Sequence, residues 1–126
     1  MQDFTRLRVW QRAQKLAIEI YKDTDRLADS VHSDLAALLR SSVDAISTNI
    51  AEGARQPTPW LFARSLVQAI SNTNDLITAL ATARKLGTIE VPRHVMLEME
   101  TIEIRRMLHA LRIRILEWVR PKSLRT

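Results

Sequence analysis

Two groups of side chains carry the chemistry open to this sequence. The first is cationic. Between Arg105 and Thr126 lie Arg105, Arg106, Arg112, Arg114, Arg120, Lys122 and Arg125, opposed by Glu117 alone. The first 104 residues carry 12 basic and 13 acidic side chains, so the whole net charge of +5 comes from the last segment. Basic density of this kind suits an anionic partner, because phosphate binding needs charge more than a fixed motif. Arg8 and Arg12, near the start of the chain, are candidate additions to the set. The competing reading is a solubilising face with a basic tail. The second group is polar: Asn49, Glu52 and Arg55, then Ser71, Asn72, Asn74 and Asp75. Such residues inside helices either line a cleft or join helices by hydrogen bonds, and the expectation is joining.

Catalytic and metal motifs are missing. Gly53 and Gly87 are the only glycines, too few for a phosphate loop or a dinucleotide fingerprint. Cysteine is absent, which removes thiolate nucleophiles, thiolate metal sites and disulfides. His32, His94 and His109 lack the spacing of a zinc helix, and no Glu-x-x-His pair suggests a di-iron bundle. Glu98, Glu100 and Glu103 have no partners converging on them and are expected to pair with Arg106 or a neighbouring chain. The expectation is a protein that is not an enzyme, with no cofactor, no metal and no small-molecule substrate. One Tyr and two Phe predict no aromatic platform for bases, so nucleic acid would be held by backbone and shape.

The elements that position these residues are helices. With 126 residues, 2 Gly and 4 Pro, the chain has one domain's length and too few breakers for many strands. Apolar residues recur at three- and four-residue steps, predicting helices over about 7–28, 34–52, 59–86 and 92–120. Trp10, Ala13, Ala17, Ile20, Tyr21 and Leu27 share a face of the first, with Arg8, Arg12, Lys15, Lys22 and Arg26 roughly opposite. Ser33 is the expected cap of the second and Gly53 its left-handed terminator. Thr58-Pro59 opens the third, Gly87 closes it, and Pro121 stops the fourth. Short loops between four helices predict an all-α, antiparallel up-down bundle. The opening residues lack the apolar run of a signal peptide, and no stretch is long enough to span a bilayer. The expected setting is cytoplasmic, without membrane contact.

The fourth helix carries two apolar stripes. Leu97, Ile104, Leu108, Leu111, Ile115 and Trp118 lie along one seam and should face the interior. Val95, Met99, Ile102 and Ile113 project nearly opposite at ~100° per residue. An outer helix of a lone bundle needs only one such stripe, so the second predicts a homo-oligomer.

Several strings read in order carry a resemblance. Leu7-Arg8-Val9-Trp10-Gln11-Arg12-Ala13 opens the first helix, followed by Ile20-Tyr21. Then come Ser47-Thr48-Asn49-Ile50-Ala51-Glu52-Gly53 with Arg55, Phe62, and Ala83-Arg84-Lys85-Leu86-Gly87. This order resembles the bacterial four-helix bundle family known as the 23S ribosomal RNA intervening-sequence proteins, related to accessory proteins of diversity-generating retroelements. The motif positions are Trp10, Asn49, Glu52, Gly53 and Arg55. The resemblance implies a cytoplasmic bundle assembled as a ring-shaped homopentamer. It also implies RNA or DNA, or a polymerase, as partner. The chain departs from the family pattern at Leu39–Ile46, which holds one Arg and an added Asp44, and at Ser71-Asn72. Two functions follow as expectations: a basic assembly that binds nucleic acid, or a scaffold that docks an acidic protein partner.

Overall fold

The computed structural model describes residues 3–119, and the regular structure among them is helical. The α-helices are α1 Arg8–Thr24, α2 Ser33–Ala54, α3 Pro59–Lys85 and α4 Val91–Val119, with 3-10 turns at Phe4–Arg6 and Asp25–Leu27. Each helix packs on the next, and α4 closes back on α1. The result is the expected up-down four-helix bundle. The predicted stop at Pro121 lies outside the described residues.

Local chemistry explains most helix ends. Thr58 Oγ1 accepts from the Leu61 N–H at 3.2 Å and Pro59 takes the first helical position of α3, as predicted. Gly87 has φ of +73°, and the Thr88 N–H reaches the Ala83 carbonyl at 3.0 Å. That bond satisfies a carbonyl which the end of α3 would otherwise leave unpaired. Ser33 is not the cap of α2; it is the first helical residue, and His32 before it makes no side-chain cap bond. The hydroxyl of Ser30 shapes this turn instead, donating to the Leu27 carbonyl and accepting from the His32 N–H. The first helix ends four residues short of the prediction, at Thr24. Its hydroxyl donates to the Ile20 carbonyl and accepts from Arg40 Nε, both at 2.8 Å, which ties the end of α1 to α2.

The core is one cluster drawn from all four helices. Ile20, Leu39, Ile46, Ile50, Leu66, Leu76, Leu80, Leu97, Ile104 and Leu108 are fully buried within it. Each such side chain stabilises the fold by about 1.5–3 kcal/mol relative to exposure. Tyr21 and Trp118, both predicted to face the interior, are exposed instead. Tyr21 is exposed because its hydroxyl reaches Asp44 across α2, and Trp118 lies beyond the last buried turn of α4.

The seams differ in kind. The α2–α3 seam is the most extensive, and at Gly53 it leaves no room for a side chain. A Cβ there would stand 2.8 Å from the Ser65 Cβ and 2.9 Å from the Phe62 ring. Gly53 therefore does not end α2 in a left-handed conformation; α2 runs on to Ala54, and the glycine is required by the neighbouring helix. The α1–α4 seam is the sparest and is braced by charge. The Arg12 guanidinium grips both oxygens of Glu100 at 2.5 and 2.9 Å. From the opposite helix, Arg93 forks onto Glu19 and Asp23, each at 2.5 Å.

Two outcomes follow. Gly53→Ala should lower stability by about 1–2 kcal/mol, because overpacking outweighs the gain in helix propensity; chemical denaturation measures this. The hydrogen bond from Arg93 holds the Glu19 carboxyl below its ordinary value of 4.5, and Arg106 does the same to Glu103. A depressed carboxyl stabilises the fold fully above that ordinary value and stops doing so as pH falls through the lower folded one. Arg93→Ala should therefore lose more thermal midpoint near about pH 6 than near about pH 3. An equal loss at both would show that the brace acts through packing alone.

Candidate functional site

The bundle gathers charge by position. One half holds the start of α1, the end of α2, the start of α3 and the end of α4, residues 3–12, 49–73 and 105–119. It carries nine basic side chains against Asp3, Glu52 and Glu117. The opposite half, residues 13–48 and 74–104, carries seven basic against eleven acidic side chains. The asymmetry read along the chain is thus also an asymmetry in space, and Arg6, Arg55 and Arg64 add to the basic end from other elements.

The predicted cations do not all stand open. Arg8 and Arg114 are exposed and, among the described residues, in no ion pair; Arg64 shares both properties. Arg12 was expected on the solvent side of α1, but it turns into the α1–α4 seam and is held by Glu100. Arg106 pairs with Glu103 on its own helix, as the spacing suggested. Arg105 donates to Asn74 on α3 at 2.7 Å, and the Arg112 Nε is buried without a hydrogen-bond partner. Arg120 and Lys122 lie outside the described residues.

The polar group joins helices. Asn49 donates to Asn72 at 2.7 Å across the α2–α3 seam, and Asn74 accepts from Arg105 on α4. None of the three principal cavities is lined by Asn49, Glu52 or Asn72. Trp10, Glu52 and Arg55 come together around Phe4 at the basic end. Trp10 packs edge-on against Phe4 with centroids 5.2 Å apart, and the Arg55 guanidinium lies 5.5 Å over the same Phe4 ring. Glu52 accepts from Arg55 at 3.1 Å. These contacts dock the first turn of the chain onto the end of α2.

The outer face of α4 presents Val95, Met99, Ile102 and Ile113 to solvent, with Met99 at 65% of its full exposure. Val91 extends the stripe by one turn, and Arg106 and His109 interrupt it before Ile113.

Sequence reading missed one feature of the basic end. Counting Tyr and Phe passed over tryptophan: Trp60 and Trp118 are exposed to 62% and 82%. Trp118 lines a hollow of about 390 Å³ between the α2–α3 loop and the last turns of α4, and Trp60 follows the lining Pro59 in sequence. The positions of Trp60 and Trp118 at the first and last turns of their predicted helices were the available signal.

Comparison with known proteins agrees with the fold. A crystal structure of a protein of unknown function, from the S23 ribosomal protein family of Bacteroides thetaiotaomicron, superposes with a TM-score of 0.73 at 19% identity. The match covers 82% of this chain and 96% of the other. No curated protein sequence matches this one. Residues 5–110 match the family described as 23S rRNA-intervening sequence protein, so the match runs from the Phe4–Arg6 turn through most of α4. The chain therefore belongs to the 23S rRNA-intervening sequence protein family.

Proposed function

We propose that this protein is a non-catalytic homo-oligomer whose basic end binds the phosphates of RNA or DNA. The observation that carries the reading is the polarity of the bundle, with nine basic side chains against three acidic ones in one half and acidic excess in the other. A one-ended field orients an approaching polyanion and raises its encounter rate. Arg8, Arg64 and Arg114 are the contacts of choice, since no carboxylate within the described residues competes for them. Arg12 supports the scaffold rather than the ligand. Self-assembly would use the outer face of α4, and the family resemblance implies five copies. A ring would repeat the basic end and multiply weak phosphate contacts.

Mobility shifts at two salt concentrations test the binding. Retardation should be strongest at low salt, and combining Arg8→Gln with Arg114→Gln should weaken RNA and DNA alike. For duplex DNA, the salt slope should fall by about 2. Unretarded RNA and DNA at low salt would sink the proposal. Light scattering tests assembly: the parent should exceed the mass of one chain, and joint Met99→Glu and Ile102→Glu replacement should reduce it to one chain with helicity kept. A parent already at single-chain mass refutes the role given to α4.

A further inference from the structure

We infer that the hollow at the basic end seats an unpaired nucleobase of a single strand, with Arg114 on the neighbouring phosphate. This rests on the nucleic-acid reading above and adds to it a preference for exposed bases. Three observations lead to it.

The hollow has the right walls. Ala54, Pro57, Phe62, Leu111 and Ile115 make it apolar, and among the described residues no carboxylate lines it. Its polar groups sit among these walls and retain unused hydrogen-bonding capacity. Gln56 spends its amide N–H on the Glu52 carbonyl at 3.3 Å, which leaves its carbonyl oxygen to accept. The Thr58 hydroxyl oxygen accepts from the Leu61 N–H, which leaves its proton to donate. An acceptor and a donor beside an apolar slot match the edge and faces of a base.

Stacking surface and cation occur together. Arg114 and Trp118 are four residues apart on α4, so both lie on one side of the helix, and both line the hollow. Trp118 is 82% exposed there, and Trp60 is exposed one residue beyond the lining Pro59. Aromatic faces interleaved with basic charge bind single strands with little regard to sequence, since every base has a face to stack.

The surroundings select the ligand. The hollow lies in the half of the bundle with basic excess, where an uncharged apolar peptide segment would gain nothing from the field. A duplex keeps its bases stacked inside and would have to extrude one to fill the slot. A single strand offers bases and phosphates at once.

The test compares a short labelled oligouridine strand, the same strand carrying abasic sites, and a duplex of equal length. The unmodified protein should bind the intact strand roughly tenfold more tightly than the abasic one, the range expected for a stacked base. Trp118→Ala should erase that difference, whereas Trp118→Phe should retain most of it. Equal affinity for intact and abasic strands would overturn the base slot while leaving the phosphate reading in place. Failure of all three ligands to bind at low salt would overturn both. A drop in assembly mass for Trp118→Ala would assign the hollow to contact between copies, and would also overturn the inference. The abasic comparison needs no variant, so a misfolded mutant cannot shelter the proposal.

Discussion

Gly53 fixes the separation of α2 and α3, and much of the basic end depends on that distance. With only hydrogen in place of a side chain, the last turn of α2 can lie against Phe62 and Ser65. The Arg55–Thr58 connection can then be short, because the two helices are already together where the chain must cross. The same approach brings Ala54 and Phe62 into one wall of the hollow. Beside the glycine, Glu52 accepts from Arg55, whose guanidinium lies over the Phe4 ring, and that ring in turn packs on Trp10. The stretch from Glu52 to Arg55 is, in its contacts, the joint that lets three elements share one end of the bundle.

Topology turns a linear charge pattern into a spatial one. Up-down connection places the end of α4 beside the start of α1, so Arg114 and Arg8 belong to the same half although they are far apart in sequence. The acids of α1 and the first half of α4 collect at the other end, where Glu19, Asp23 and Glu100 are bound by arginines. Pairing of that kind ties up arginines along the α1–α4 seam, whereas Arg8, Arg64 and Arg114 at the basic end enter no ion pair among the described residues.

The fold was legible because its signals are local. Thr58-Pro59 and Gly87 mark helix ends through bonds made within a few residues, and the apolar periodicity of each helix marks its buried face. What could not be read depends on a neighbour. Gly53 suggested a helix end until Phe62 and Ser65 were seen across from it. Arg12 fell on the polar side of α1, yet the bidentate grip of Glu100 bends it into a seam. Tyr21 is drawn out of the apolar face by Asp44 on α2. Periodicity also placed Trp118 inside, because it carries no information on where the neighbouring helices stop. The basic segment was visible as composition, whereas the partition between engaged Arg12 and open Arg8 required the acids of another helix.

The reciprocal arginine grips across α1 and α4 also bear on the order in which the bundle comes apart. α1 has the sparest contact with α4 and is held there by charge pairs only partly shielded from water. Such pairs are weakened by salt far more than buried leucines are. α2 and α3, interlocked at Gly53, lack that weakness. The bundle therefore has a hinged wall and a fixed one: α1 is the helix whose amides would exchange with solvent through the smallest opening, while the α2–α3 pair keeps its protons until the whole domain unfolds.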